Sequence, residues 1–470
     1  MLFNSLAYLI FLPIVFLAYW ASPPRWRNSL IVMASFVFYG WWSPLFLGLM
    51  VATCMVNYLI ALRMGDKNTT SLSARVRRRY CATAIVFNFL ILGVFKYFNF
   101  FTENFSEACA AIGWQVHFPV LHILLPVGIS FYTFQVTGYI IDVQRGSLPP
   151  ERSAIRFLAF ISFFPQLVAG PIERATQLLP QFAETKRFNR ALAVDGMRQI
   201  LWGLLKKMLI ADNCATVTNY IFAHSDTVSS SDLWMGIFCF AFQIYGDFSG
   251  YSDMAVGSAK LFGIRLMRNF NLPYFSRSIP EFWRRWHISL MTWFRDYLYI
   301  PLGGNRRGPL RKQLNTAIVF LVSGLWHGAN WTFIAWGAYH ALLFLPYSLF
   351  PRLNGSGGKV KQFLSTLSTF FLVLSGWVLF RAESLPQAVA YWAGMFSPSR
   401  FGPTSCSRLP LLFVALLLLA EGFSRGEHPL SLRGSGLMRF RAARFALYYL
   451  LFFLALFAGG KPESFIYFQF

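Results

Sequence analysis

The chain has 470 residues, of which 56% are hydrophobic and only 13% are charged. A soluble globular protein carries about a quarter charged residues, so this composition argues against a soluble enzyme. The net charge of +23 would suggest nucleic-acid binding in a soluble protein. Here the basic residues fall in short loops between apolar runs, as in membrane proteins with positively charged cytoplasmic loops, and nucleic acid is not an expected partner.

Several apolar runs approach the roughly 20 residues that a membrane-spanning helix needs. Because each span must satisfy its own backbone polar groups, we predict an all-α, polytopic membrane helix bundle of about ten or more spans. The first run, residues 5–21, lacks a basic leader and a small-residue cleavage site, which predicts a retained span. Residues 1–470 are predicted to form a single integral membrane domain.

Charged clusters predict the orientation of the spans. The run 29–62 is too long for one span and is interrupted at residues 41–44, which predicts a helical hairpin. The loop 63–80 has six basic residues and one acidic residue, and the loop 304–313 is also basic, so both are predicted to be cytoplasmic. The loop 102–116 is mildly acidic and is predicted to be external.

The middle of the chain is less regular. Residues 157–174 are apolar but interrupted by Pro165, Gly170 and Pro171, which predicts a broken or re-entrant segment. Residues 187–213 mix basic and apolar positions at helical spacing, which predicts an interfacial amphipathic helix leading into a span.

Neither the cysteine spacing nor a known catalytic motif indicates a specific site. The six cysteines are scattered singly, without the spacing of a disulfide framework or a metal site, so buried apolar thiols and no metal site are predicted. The sequence contains no phosphate-binding loop, serine-hydrolase elbow or zinc-protease motif.

Two histidines lie in dense aromatic and polar clusters. His287 stands in "FWRRWHISL", and His327 stands in "LWHGANW" between Gly324 and Gly328, which would let another backbone or a substrate approach closely. A histidine can take a proton from an alcohol and pass it to a leaving group, so both are candidate catalytic residues. The alternative is that each caps a helix or bonds a carbonyl. His340, thirteen residues past His327, is expected to point to a different helix face.

The stretch 240–257 is unusually polar for an apolar neighbourhood. Its polar side chains could line a tunnel, or Asp247 and Asp253 could cap a helix break around Gly246 and Gly250. The candidate substrate-contacting side chains from this stretch and the histidine clusters are Gln243, Asp247, Tyr251, Trp286, Trp326 and Asn330.

Four basic residues follow a glycine turn after a predicted interfacial helix: Arg306, Arg307, Arg311 and Lys312. They could contact the phosphates of a donor such as coenzyme A. The alternative is that they only set the topology.

Six stretches resemble the membrane-bound O-acyltransferase family, in the family's order. They are "LLPVGISFYTFQ", "FFPQLVAGPIER", "YGDFSGYSDMAVG", "FWRRWHISLMTWFRDYLYIPLGGNR", "LWHGANWTFIAWGAYH" and "WVLFRAESLPQAVAYWAGMF". They cover most of the chain from about Leu124 to Met395, and they are most similar to the bacterial alginate O-acetyltransferase-like branch. Gly246 departs from that branch, which often has cysteine there.

The resemblance implies a site and a reaction. His327 matches the family's near-invariant histidine, and His287 matches a position that holds asparagine, aspartate or histidine in relatives. The two would face a central tunnel through the bundle. No bound cofactor is implied. The donor would be acetyl-CoA or another acyl thioester arriving from the cytoplasm, and His327 would act as general base with help from His287.

The resemblance also implies a bacterial inner-membrane, multi-pass protein in the lipid bilayer. Its acceptor would be an extracytoplasmic polysaccharide, with an alginate-like polymer favoured, reached through an extracytoplasmic transfer protein. Peptidoglycan O-acetylation and teichoic-acid D-alanylation stay open within the family. A transporter or flippase, or an export scaffold without covalent chemistry, is the alternative of another class.

Overall fold

The computed structural model describes residues 1–65, 73–116, 118–121, 124–168, 170–350, 358–424, 428–431 and 440–466. Within these residues every regular element is a helix. The chain divides into two compact units, one of residues 1–190 with 259–266 and one of residues 191–258 with 267–470. The prediction of an all-α protein is confirmed for the part of the chain that is described.

The first unit contains eight helices among its described residues. They are α1 (Leu6–Ala21), α2 (Arg27–Gly40), α3 (Pro44–Met64), α4 (Ala74–Leu92), α5 (Phe98–Ala111), α6 (Ile129–Arg145), α7 (Ala154–Ser162) and α8 (Ala175–Ala183). The predicted hairpin in residues 29–62 is present, because α2 ends at Gly40 and the Ser43 side chain caps α3 ahead of Pro44.

A buried amide pair joins three helices of this unit. The side-chain amide of Asn57 donates to the Oδ1 atom of Asn88 at 2.7 Å, and Asn88 donates back at 3.0 Å. Asn88 also donates to the Thr137 hydroxyl at 3.2 Å. Polar contacts of this kind hold helices together where neighbouring lipid is as apolar as the helix surface.

Two predictions about this unit need correction. The predicted external loop 102–116 is mostly helical, since α5 continues to Ala111. Most of the basic cluster in the predicted loop 63–80 lies on the first turns of α4, which begins at Ala74; residues 66–72 of that loop lie outside the described residues. The predicted break in residues 157–174 is present: α7 ends at Ser162, the described residues 163–168 and 170–174 are not helical, and α8 begins at Ala175.

The second unit carries the remaining described helices. They are α9 (Arg190–Leu205), α10 (Asp212–Ala223), α11 (Ser230–Leu261), α12 (Ile279–Arg285), α13 (Ile288–Phe294), α14 (Gly308–His327), α15 (Trp331–Leu349), α16 (Lys359–Arg381), α17 (Leu385–Met395), α18 (Leu409–Ser424) and α19 (Arg441–Ala458). Residues 206–211 form a π-helical turn that joins α9 to α10, so the helix predicted in residues 187–213 is present as part of a longer, interrupted element, and its interfacial position stays a prediction.

Four described helical segments are long and apolar enough to cross a membrane. They are Pro44–Met64, Ala74–Ala111, Lys359–Arg381 and Arg441–Ala458. On α19, Leu450 and Phe457 are 64% and 84% exposed, as side chains facing lipid would be. Leu6–Ala21 and Leu409–Ser424 are shorter apolar helices.

Glycines let α9 and α11 cross closely within the second unit. A Cβ atom at Gly203 would lie 2.5 Å from the Gly250 carbonyl oxygen, and one at Gly257 would lie 2.5 Å from the Gly196 carbonyl oxygen. Helix α11 runs without interruption through Gly246 and Gly250. The alternative that Asp247 and Asp253 cap a helix break is therefore wrong, because these glycines serve a helix crossing.

The same crossing buries lysines against carboxylates. Lys207 lies 2.8 Å from Asp247 and 2.9 Å from Asp212, and all three side chains are at most 7% exposed. Lys206 lies 2.5 Å from Asp253, which also accepts a hydrogen bond from Gln199 at 2.8 Å. Buried charges are tolerated only when they are paired in this way.

The C-terminal segment reaches the same charges. The Glu463 carbonyl oxygen accepts a hydrogen bond from Lys207 at 3.0 Å, and the Ile466 amide donates to Asp247 at 2.7 Å. The ring of Phe465 packs 4.9 Å from that of Tyr251. Residues 463–466 are therefore part of the core of this unit.

Helices α14 and α15 also cross at glycines. A Cβ atom at Gly324 would lie 2.2 Å from the Phe333 carbonyl oxygen, and one at Gly337 would lie 2.4 Å from that of Phe320. The closeness predicted for Gly324 is confirmed, and its neighbour is a helix backbone.

We expect Gly324→Ala to destabilise the protein by about 1–3 kcal/mol, because the added methyl group must push the two helix backbones apart. Gly48→Ala is the matched control, since Gly48 is helical and a Cβ atom there meets nothing within 4 Å. Thermal unfolding in detergent measures both. Equal melting temperatures for the two variants would contradict the crossing.

We expect Lys207→Met to destabilise by about 3–5 kcal/mol, since it leaves two buried carboxylates without their cation. The double variant Lys207→Met with Asp247→Asn should recover part of that loss. Glu184→Gln, which removes an exposed pair with Lys186, should have little effect. Thermal unfolding of Lys207→Met that matches Glu184→Gln would show that the buried pair is dispensable.

Candidate active site

His327 is the last residue of α14 and is 5% exposed. Its ring lies 4.9 Å from that of Trp326, 5.2 Å from that of Trp336 and 5.1 Å from that of Phe380. The helix ends there because Gly328 adopts an extended conformation, and a Cβ atom at Gly328 would lie 2.1 Å from the Phe333 ring. The glycine that follows His327 is therefore required by packing.

His287 joins α12 to α13 and is 1% exposed. It has a φ of 43°, a left-handed conformation that costs a non-glycine residue about 1–2 kcal/mol. Neighbouring backbone bonds maintain it: the Ile288 amide donates to the Asn269 carbonyl at 2.9 Å, and the Ser289 amide lies 3.3 Å from the Asn269 side-chain oxygen. Strained residues held by their surroundings are typical of functional sites.

Trp326 connects the two histidines. The His287 and Trp326 ring centroids are 5.9 Å apart, so both histidines border the same indole. The Ser289 hydroxyl lies 3.5 Å from His287 Nδ1, and Phe248 of α11 packs 4.6 Å from the same ring. The structure thus brings the two candidate catalytic residues into one aromatic cluster, from helices far apart in sequence.

His340 belongs to the same cluster. It lies on α15, whereas His327 ends α14, so the helical-face argument that separated them is wrong. Trp336 contacts both rings, at 5.2 Å from His327 and 5.0 Å from His340. His340 is 1% exposed, and its Nδ1 atom lies 3.4 Å from the Trp283 indole nitrogen. It is a buried packing residue behind Trp336.

The other candidate side chains differ in burial and in role. Trp286 packs 5.0 Å from both Phe270 and Trp377, and it is 2% exposed. Asn330 caps α15 through a 3.0 Å bond from the Thr332 amide and donates to the Glu383 carbonyl, which accounts for its polar side chain without a substrate.

The α11 candidates Gln243, Asp247 and Tyr251 lie at successive helical turns and are all buried. Asp247 is engaged by Lys207 and Ile466, and Tyr251 by Phe465. Sequence reasoning missed Lys206 and Lys207 as partners of these side chains. The adjacent lysines inside an apolar helical run were the available signal, because an isolated buried lysine is costly.

The four residues predicted to contact the donor phosphates fall into two groups. Arg306 and Arg307 are exposed in the turn before α14, and Arg311 is partly buried on its first turn. Lys312 instead lines a groove of the second unit, together with Arg284 and Arg295, which sequence reasoning did not assign to it. The predicted cluster is therefore two adjacent groups of cations.

The cysteines are free, and five of the six are buried, with Cys406 partly exposed. This agrees with the predicted apolar thiols.

Comparisons with known proteins agree with the helical and aromatic pattern. Residues 149–354 match the membrane-bound O-acyltransferase family. The chain is 44% identical over 426 residues to the probable alginate O-acetylase of Azotobacter vinelandii, covering 89% of this chain and 83% of that protein. The corresponding Pseudomonas aeruginosa protein is 43% identical, covering 87% of this chain and 77% of that protein.

A third relative is named for a different acceptor. The peptidoglycan O-acetyltransferase of Helicobacter pylori is 35% identical over 428 residues, covering 84% of this chain and 80% of that protein. Identities of this size over most of both chains, together with the family match, lead to one conclusion. The chain belongs to the membrane-bound O-acyltransferase family and is an O-acyltransferase.

Proposed function

We propose that this protein supplies the acetyl group for O-acetylation of an extracytoplasmic polysaccharide, with an alginate-like polymer favoured, through an extracytoplasmic partner that completes the transfer. The donor is acetyl-CoA or another acyl thioester on the cytoplasmic side. The observation that carries the proposal is the burial of His327 and His287 against one indole, that of Trp326.

His327 is the general base. It removes the proton of an acceptor hydroxyl while the hydroxyl oxygen attacks the thioester carbonyl carbon. The carbon–sulfur bond then breaks, an ester forms, and the thiolate takes up the proton from the imidazolium. His287, held in one orientation by its constrained backbone, positions the acceptor or the His327 ring. The surrounding indoles exclude water, which would otherwise hydrolyse the thioester.

The acceptor choice rests on the relatives. Two of the three relatives described above are named for alginate O-acetylation, which favours an alginate-like polymer. Peptidoglycan is the second candidate acceptor, because the Helicobacter pylori relative is named a peptidoglycan O-acetyltransferase. Teichoic-acid D-alanylation is a third possibility within the family. An extracytoplasmic partner passes the acyl group to the polymer.

The proposal includes a location and a path. The protein lies in the bacterial inner membrane as a multi-pass bundle of about ten or more spans. A tunnel lined by Trp286, Gln243 and Tyr251 leads the acyl group past the histidines. A transporter, flippase or export scaffold would instead leave the thioester intact, so release of free thiol by the purified protein with its acceptor separates these classes.

We expect His327→Ala to lower acylation by roughly 10²–10⁴-fold, the usual contribution of a general base. His287→Ala should also be impaired, and His287→Asn should retain more activity because a positioning hydrogen bond needs no titration. The measurement is ester formation on the polymer in cells and thiol release from purified protein.

His224→Ala is the matched control, because His224 is exposed and its ring bonds the Tyr220 carbonyl one turn earlier on its own helix. His340→Ala should keep the chemistry, although its removal leaves a cavity behind Trp336 and lowers stability. Wild-type activity in a folded His327→Ala protein would remove His327 from the mechanism.

We expect the double change Arg306→Gln with Arg307→Gln to raise the KM for the thioester without changing kcat, if these exposed cations attract its phosphates. The effect should shrink at high salt, because exposed charges are screened. A KM that is unchanged at low salt would leave these arginines as topology signals only.

A further inference from the structure

The second unit contains a groove of about 630 Å³ that the reaction does not use. Its mouth carries three cations from three elements: Arg284 of α12, Arg295 after α13 and Lys312 of α14. Its floor is apolar and comes from α14 and α15, with Val319, Phe320, Ala341, Phe344 and Leu345. Cationic and apolar surfaces thus share one groove.

Two of the three groove cations are not neutralised by a carboxylate of the described chain. The described residues that line the groove include no carboxylate. Arg295 is paired with Asp296 at 2.7 Å, whereas within the described chain Arg284 and Lys312 have no ion-pair partner. A ligand with a negative headgroup therefore matches the mouth, and an alkyl chain matches the floor.

Packed rings separate this groove from the histidines. Phe320 packs 5.2 Å from Trp283, which lies 5.5 Å from Trp336, which in turn lies 5.2 Å from His327. These three aromatic side chains are at most 4% exposed. Lys312 is also fifteen positions before His327 on the same helix, about 22 Å away. A ligand in the groove does not reach the reacting atoms.

We propose that the groove binds an anionic glycerophospholipid, with its phosphate at Arg284, Arg295 and Lys312 and part of one acyl chain along Phe320 and Phe344. The closed aromatic wall favours a resident lipid over a thioester donor. A volume of this size holds a phosphate and part of one chain and leaves the rest in the bilayer. This inference rests on membership of a membrane-protein family and is independent of the proposed acceptor.

The experiment titrates delipidated full-length protein in detergent with phosphatidylglycerol or phosphatidylcholine and counts bound lipid by native mass spectrometry. We expect one phosphatidylglycerol to bind about tenfold more tightly than phosphatidylcholine, as charge-assisted hydrogen bonds would provide. Arg284→Gln with Arg295→Gln should abolish that preference. Arg306→Gln with Arg307→Gln, which removes equal charge outside the groove, should leave it.

Ala341→Phe tests the floor separately, because it fills the groove and keeps every cation. Its tight binding of phosphatidylglycerol should also be lost. If the protein with both Arg284→Gln and Arg295→Gln elutes as an aggregate, Arg284→Gln alone replaces it. Equal binding of the two lipids, or unchanged binding in both groove variants, overturns the proposal. Displacement of phosphatidylglycerol by coenzyme A, with binding of coenzyme A lost in the groove variants, would assign the groove to the donor and also overturn it.

Discussion

The close crossing of α14 and α15 determines where His327, the proposed general base, lies. Gly324 and Gly337 allow the two backbones to touch, and any side chain there would meet a carbonyl oxygen. Because α14 ends at His327 and α15 carries Trp336, the crossing places the imidazole against that indole. The orientation of His327 is therefore a property of helix packing.

The second histidine depends on a different constraint. His287 lies at a left-handed turn between two short helices. The backbone amides of the next two residues, Ile288 and Ser289, both donate hydrogen bonds to Asn269. Asn269 in turn donates to Ser252 of α11 at 3.1 Å. The position of His287 is thus tied to the polar stretch of α11, whose carboxylates bind the buried lysines.

The basic residues near α14 divide according to the surface that they border. Arg306 and Arg307 are exposed, so they act at long range and are sensitive to salt. Lys312 and Arg284 border an apolar groove, where a bound phosphate would be partly shielded from water. The two proposed roles, attraction of a soluble anion and retention of a lipid, therefore use different residues.

The sequence by itself determined the helical membrane class and the break after α7, since hydrophobic period and proline positions are readable along the chain. A local motif also pointed to His287 and His327, which the structure places in one aromatic cluster. The sequence also predicted that Gly324 lies near another backbone. The tertiary structure alone decided which backbone that is, and that His340 lies behind Trp336. It also paired Lys206 and Lys207 with Asp253 and Asp247, and separated Lys312 from Arg306. The reason is that a helical pattern specifies which side chains share a face, but the element that packs against that face comes from distant sequence. The partner of a buried charge is likewise determined only when the helices have packed.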